Sequence, residues 1–275
     1  MVKRIAAQAF TGCSLLLEEE KAESFVCFKD KKCFCNCKSF KKLAIAPNYT
    51  SELYSNGSFK ITPFINALKM FESISVYVVY PSENYKEILS NLSKLKNESL
   101  PQIKIVMFFS GIKKIDDFYD INDIIDEIQI DSSVEAIGFQ AFRDFLALKK
   151  VKISSSVTSI GEKAFQNCSS LKIIKIPSSV ISLGWGAFIE CTSLEKVKIP
   201  SSIKIIPEYL FYKCSSLNKV VIPFSVTRIC KFAFLGCTSL SRLPIPTSVV
   251  SIDDKVFEDD IVLIHKVKSK KKGVK

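Results

Sequence analysis

A parallel β-solenoid of the α/β repeat class is the fold this sequence predicts, and three columns of residues predict it. Leu148, Leu171, Leu194, Leu217 and Leu240 are each 23 residues apart. Phe142, Phe165, Phe188, Phe211, Phe234 and Phe257 keep the same spacing, and so do Cys168, Cys191, Cys214 and Cys237. Self-similarity at one fixed period means that each unit buries its apolar side chains against its neighbours, because a unit of this length cannot bury them alone.

The unit is clearest in 171–191, LKIIKIPSSVISLGWGAFIEC, and returns as LEKVKIPSSIKIIPEYLFYKC from Leu194 and LNKVVIPFSVTRICKFAFLGC from Leu217. A period in the 20–29 range built on Leu-x-x-Ile-x-Ile is that of a leucine-rich repeat. The expected architecture is a right-handed leucine-rich repeat solenoid with a concave parallel β-sheet and short helical turns on the convex side. Within the unit, Leu171, Ile174 and Ile176 point inward from a short strand, since Ile174 and Ile176 are two apart and share a face. Pro177 ends the strand because it has no N–H for a ladder. Ser178 and Ser179 then turn the chain, with hydroxyls able to satisfy nearby backbone groups. Val180 and Leu183 return to the core. Phe188 and Cys191, three apart, would share one face of a helical turn.

The 275 residues, 47% hydrophobic and 24% charged, are enough for a large core. No apolar run approaches the length of a membrane-spanning helix. Residues 125–267 carry the regular repeats. Residues 1–124 read as degenerate repeats with insertions: Leu16, Phe40, Phe71, Leu100 and Ile125 occupy the Leu slot at uneven spacing. Within them, 82–95 reads as an amphipathic helix, with Ser82 as N-cap and Tyr85, Ile88, Leu89 and Leu92 on one face. No linker composition separates the halves, so one continuous solenoid is expected. Residues 268–275 form a basic, apolar-poor tail expected to be disordered.

The phrases IPSSV, I/L-G-x-x-A-F-x-x-C and S-S/T-S-L-K closely resemble the BspA-like leucine-rich repeats of bacterial and protist proteins, over 125–257 and in pieces from residue 1. The resemblance implies a non-enzymatic protein-binding scaffold that takes a protein partner on its concave face, with an adhesin-like surface role. It implies no particular ligand, because the shared positions are core positions. The opening MVKRIAAQAFTGCSLLLEEE imitates a signal peptide. However, Ile5, Ala9, Phe10, Cys13 and Leu16 repeat the spacing of Ile160, Ala164, Phe165, Cys168 and Leu171, so half a repeat is the better reading. A cytoplasmic location is expected on that ground, and a cell-surface one on the ground of the resemblance.

Few residues offer chemistry. His265 is the one histidine and falls in a terminal strand. Neither G-x-x-x-x-G-K-[ST] nor G-x-G-x-x-G occurs, so phosphate-binding loops of those kinds are absent. The chain is read as having no enzymatic activity, no cofactor and no small-molecule substrate. Of ten cysteines, those of the 23-residue column, with Cys13 and Cys37 in the same slot, are explained as small buried hydrophobes. Stacked with parallel Cβ vectors they suit bridging poorly, so reduced thiols are expected. Cys27, Cys33, Cys35 and Cys37 could supply four thiolates to zinc. Their C-x5-C-x-C-x-C spacing lacks paired knuckles, and ordinary core and loop cysteines are the preferred reading. Five N-x-[ST] sequons, at Asn48, Asn56, Asn91, Asn97 and Asn167, are the number chance provides in a Ser- and Asn-rich chain.

The surface signal is charge. The residues two and four after each repeat Leu face away from the core. They include Lys150, Lys152, Lys175, Lys196, Lys198, Lys219 and Arg242, interrupted by Ile173, Val221 and Pro244. Stacking would align them as a basic stripe on the concave sheet, suited to an acidic protein surface. The competing reading is that lysines keep a long sheet soluble and unpaired. A further alternative is a binder of phosphate polymers or anionic membrane, weakly contacting nucleic acid or lipid through the stripe and the tail. The net charge of +11 falls to +5 without the six lysines of 266–275, so much of the excess lies at that end.

Overall fold

The structure, a computed structural model, describes residues 42–45, 54–55, 58–59, 74–80, 103–116, 118, 123–257 and 262–266, with residues 86, 89, 90, 92, 93 and 96 between them. The chain divides into two compact units, Met1–Ser110 with Ile124–Gln129, and Gly111–Asp123 with Ile130–Lys275.

In the first unit the strands Lys42–Ile45, Ile74–Tyr80, Ile103–Phe109 and Glu127–Ile130 lie side by side in that order. The first three run parallel, with Ile74 opposite Ile103 and Val76 opposite Ile105. Lys86, Leu89, Ser90, Leu92, Ser93 and Lys96 are helical. Leu89 and Leu92 are buried while Lys86 and Ser90 are exposed, as a one-sided apolar stripe requires. Asp126 is buried here and acts as a surrogate backbone partner. Its Oδ2 accepts the Ile105 N–H at 3.0 Å and the Lys96 ammonium at 2.7 Å, and Lys96 also donates to the Ile124 carbonyl at 2.8 Å. Glu127, at an outward position by sequence, is buried as well, paired with Lys104 and accepting from Gln129 at 3.0 Å. A buried carboxylate keeps its charge only when it is paired in this way.

The second unit is a parallel β-solenoid built from 23-residue coils. Its first ladder contains Lys196–Lys198 and Lys219–Val221, paired parallel with Val197 opposite Val220. Ile173 bridges to Lys196 in the same sense, and Arg242–Pro246 pairs parallel with Val262–Lys266. A second ladder uses two residues per coil. Lys114–Ile115, Ala136–Ile137, Ser159–Ile160 and Ser182–Leu183 form one run, and Ile205–Ile206, Arg228–Ile229 and Ser251–Ile252 form another. From Ala136 onward, partners within each run are separated by one repeat, so every coil meets an identical slot in the next.

Between the ladders lies the core. Leu171, Ile174, Val180, Phe188 and Cys191 are buried, as are their counterparts in adjoining coils. The six phenylalanines form a spine with ring centroids 5.3 to 5.8 Å apart. From Phe165 to Phe257 the rings stack with planes 5° to 24° apart. In the first regular coil Phe145 fills the Cys slot and packs edge-on against Phe142 at 5.5 Å.

Helical turns on the far side are not what the chain forms among the described residues. Between Gly161 and Cys168 the N–H groups alternate in destination. Ala164, Gln166 and Cys168 donate three residues back, to Gly161, Lys163 and Phe165, whereas Lys163, Phe165 and Asn167 donate to Trp185, Ala187 and Ile189 of the next coil. An α-helix would spend all its interior N–H groups internally. The alternation is made by two columns of left-handed residues. One is Gln140, Lys163, Gly186, Tyr209, Phe232 and Lys255, and the other is Asp144, Asn167, Glu190, Lys213 and Gly236, with φ between 49° and 82°. The segment is therefore a third ladder made of turns, and Phe and Cys share a face because the turn repeats, not because a helix does.

The serine turn also works differently from a local cap. The serine just before the inward Val or Ile of each phrase reaches along the stack: Ser156 donates to Val134 O, Ser179 to Val157 O, Ser202 to Val180 O, Ser225 to Ile203 O and Ser248 to Val226 O. Cys168, Cys191, Cys214 and Cys237 do the same from the other side, each thiol 3.1 to 3.2 Å from the Phe carbonyl of the preceding coil. Close approach of the coils also explains Gly161, where a Cβ would come within 2.5 Å of the Gly138 carbonyl carbon and oxygen.

The backbone assignment has a simple test at Glu190, which sits at φ 59°. In a helix, Gly is about 1 kcal/mol worse than Ala. In the left-handed region an L side chain costs about 1–2 kcal/mol and Gly costs nothing comparable. Chemical denaturation should therefore find Glu190→Gly more stable than Glu190→Ala, and the reverse order would restore a helical turn. In the spine, Phe188→Ala should cost about 3–5 kcal/mol. Trp185→Ala should cost less, about 1–3 kcal/mol, because Trp185 is half-buried yet packs at a tilt against Tyr209, ring centroids 4.9 Å apart, under the Lys163 ammonium. Equal losses at the two sites would mean that the spine is not the core of the unit.

Candidate functional site

The strands Lys150–Lys152, Lys196–Lys198 and Lys219–Val221 occupy the same place in their coils and alternate buried and exposed residues, so Val151, Val197 and Val220 go inward while their neighbours go outward. Lys150, Lys152, Lys175, Lys196, Lys198, Lys219 and Arg242 are all exposed. Register brings several of them together. Lys196 lies directly opposite Lys219 on one side and Ile173 on the other, and Lys198 lies opposite Val221. Adjacent coils are about 4.8 Å apart, so Lys196 and Lys219 rise from backbone positions at that spacing.

The outward positions of this ladder from Lys150 to Pro244 include no carboxylate. Lys175, Lys196, Lys198, Lys219 and Arg242 make no salt bridge among the described residues, whereas Lys150 and Lys152 each have an interaction partner. The other faces of the unit behave differently. Lys213 pairs with Glu190 one coil back at 3.4 Å, and Lys113 with Glu135 at 3.3 Å. Arg228 forks onto Asp253, Nε to Oδ1 at 3.2 Å and Nη2 to Oδ2 at 3.0 Å, and this hydrogen bonding holds the Asp253 carboxyl below its usual range. Coil stacking places opposite charges together elsewhere and like charges together here. Like charges directly opposite one another in a ladder are destabilising.

An open groove crosses this ladder. Ile173, Lys175, Lys196, Lys198, Lys219 and Val221 line it, with Pro177, Pro200 and Pro223 along the strand ends. Ile173 is 57% exposed and Val221 43%, so the floor is apolar as well as cationic. The outward positions of these two residues are legible in the sequence. Their contribution to a surface is not, because exposure follows from how far the neighbouring lysines lean over them.

Cys27, Cys33, Cys35 and Cys37 and the tail 268–275 lie outside the described residues. Among the described residues no cluster of three or more His, Cys, Asp or Glu is arranged to hold a metal, and no helix is long and apolar enough to cross a membrane. His265 belongs to the strand Val262–Lys266. The Asn167 amide donates to Asp144 at 2.9 Å, within a left-handed column. Cys168, Cys191, Cys214, Cys230 and Cys237 are free thiols. Burial pushes the thiols of Cys168 and Cys214 well up, and burial also raises the half-buried Cys230. A thiol needs its thiolate to react.

Compared with known proteins, residues 135–264 match the BspA type leucine-rich repeat region in six copies. Among solved structures, the chain is similar to a leucine-rich cell surface protein of Faecalibacterium prausnitzii, at 22% identity and TM-score 0.43, covering 86% of this chain and 76% of that one. It is similar also to a leucine-rich repeat protein of Eubacterium ventriosum, at 16% identity and TM-score 0.42, covering 88% and 81%. A third similarity is to the T. pallidum leucine-rich repeat protein, at 22% identity and TM-score 0.41, covering 50% and 78%. No curated protein matches the chain.

The thiol column supplies a test of these placements. Alkylation at pH 8, mapped by mass spectrometry on the native protein, should modify Cys230 first among the five described cysteines. Cys168, Cys191, Cys214 and Cys237 should react only on unfolding, and their early modification would mean that the coils open readily.

Proposed function

We propose, from the BspA-type leucine-rich repeats of residues 135–264, that this protein is a non-enzymatic binding scaffold that takes an acidic protein surface on the first-ladder face, the concave face expected of such a solenoid. One observation carries the reading. Basic side chains recur at the outward positions there with no carboxylate among them, Lys196 directly opposite Lys219, while elsewhere in the unit Lys113 and Glu135, Glu190 and Lys213, and Arg228 and Asp253 pair opposite charges coil to coil. An array that is repulsive when empty is relieved when a partner brings acidic groups to it. Each exposed pair formed would be worth only about 0–1 kcal/mol. A field summed over several stacked lysines steers and orients the encounter more than any single pair does. The residues assigned to this surface are Lys150, Lys152, Lys175, Lys196, Lys198, Lys219 and Arg242.

The experiment compares the parent with a Lys175→Glu, Lys198→Glu, Lys219→Glu variant in affinity capture from native cells. All three residues are exposed, so thermal stability should change little. Capture of an acidic protein should fall at least tenfold, whereas deletion of 268–275 should have a small effect. If the triple variant captures the same protein as the parent while the tail deletion abolishes capture, the basic-face reading fails. Binding that goes instead to phosphate polymers or anionic vesicles, and falls steeply with salt whatever the partner's sequence, would assign the face to that chemistry.

A further inference from the structure

The groove on the first-ladder face has a pattern, and the pattern specifies more than an acidic partner. Three coils contribute two outward residues each: Ile173 and Lys175, Lys196 and Lys198, Lys219 and Val221. The register sets Ile173 opposite Lys196, Lys196 opposite Lys219, and Lys198 opposite Val221. Ile173 and Val221 therefore occupy opposite corners of this array, and the middle row between them is wholly cationic. Both corner side chains are substantially exposed, at 57% and 43%, although apolar side chains in the same ladder one residue away are buried.

Geometry turns these corners into a spacing. Two steps between coils at about 4.8 Å and one i to i+2 step along a strand at about 6.8 Å separate Ile173 from Val221 by roughly 12 Å. In an extended chain residues i, i+2 and i+4 project to the same side, and i and i+4 are about 13 Å apart. A segment laid diagonally across the three coils would thus set its first and last same-side residues on the apolar corners. Its middle one would lie over Lys196 and Lys198.

We propose that the partner is recognised through an extended acidic segment of the form apolar-x-acidic-x-apolar. The apolar side chains cover Ile173 and Val221, and the central carboxylate meets Lys196 and Lys198. This rests on the basic-face reading above and adds the apolar requirement and the spacing to it. Charge gives orientation, and the two corners give selectivity, since removing apolar surface from water is favoured regardless of salt. A purely anionic ligand would leave Ile173 and Val221 unused.

The test uses three fluorescein-labelled synthetic dodecapeptides in a Gly-Ser background. One is centred on Leu-Ser-Glu-Ser-Leu, one on Ser-Ser-Glu-Ser-Ser, and one has the first peptide's two leucines moved next to each other. Anisotropy titrations at low and moderate salt should give the first peptide at least fivefold tighter binding than either control. That advantage should vanish in an Ile173→Ser, Val221→Ser variant of unchanged thermal stability. Equal binding of all three peptides, abolished by salt, overturns the apolar requirement and leaves the basic face standing. Equal binding of the two leucine peptides, both above the serine peptide, overturns the spacing. If no peptide binds while the triple lysine variant still loses its captured protein, the recognition pattern is wrong and the basic face survives. If the lysine variant also keeps its partner, both readings fail together.

Discussion

Everything in the second unit depends on the satisfaction of each coil's backbone by the next. A coil of 23 residues has too little interior to close its own hydrogen bonds, so three ladders run along the stack: first strand, second strand and turn. The third is the least expected. Lys163, Phe165 and Asn167 send their N–H groups onward to Trp185, Ala187 and Ile189, and the same rungs recur coil after coil. Because these bonds hold only when every coil has the same length, they impose the period, and the period then brings like residues together. The phenylalanine spine, the serine hydroxyls and the thiols are consequences of that registry. Each of them ties a side chain to the coil before it.

Registry has a cost where the repeated residue is charged. Glu190 and Lys213, or Arg228 and Asp253, show how neighbouring coils can exploit it by placing opposite charges one repeat apart. The first ladder does not do so. Lys196 faces Lys219, and no carboxylate stands at the outward positions of that ladder. The solubility explanation for lysine on a sheet accounts for charge in general. It does not account for the exposed Ile173 and Val221 set among those lysines, which is why a surface that receives a partner is the preferred reading.

Two local rules misled at the turns, for a common reason. Phe188 and Cys191 at a spacing of three are compatible with a helix, and paired serines are compatible with a self-contained turn. Both inferences assume that polar groups are satisfied within the segment. Here the backbone alternates between local bonds and bonds to the next coil, and the side chains reach one coil away, Ser179 to Val157 O and Cys191 to Phe165 O. Left-handed residues such as Tyr209 and Phe232 carry no signature in their side chains, since glycine occupies those columns only at Gly186 and Gly236.

The period, the inward-facing columns and the outward positions of the lysines are all legible in the residue pattern, because a repeated apolar pattern admits one way to bury itself. It could likewise place Ile173 and Val221 at outward positions. The packing of coil on coil settles the rest: the far side is a ladder of turns, Glu127 is buried beside Lys104, and Ile173 and Val221 stand exposed at opposite corners of a cationic array. Those outcomes depend on which coil a backbone or side-chain group meets across the stack. That partner lies some 20 to 26 residues away along the chain, beyond the reach of any local preference.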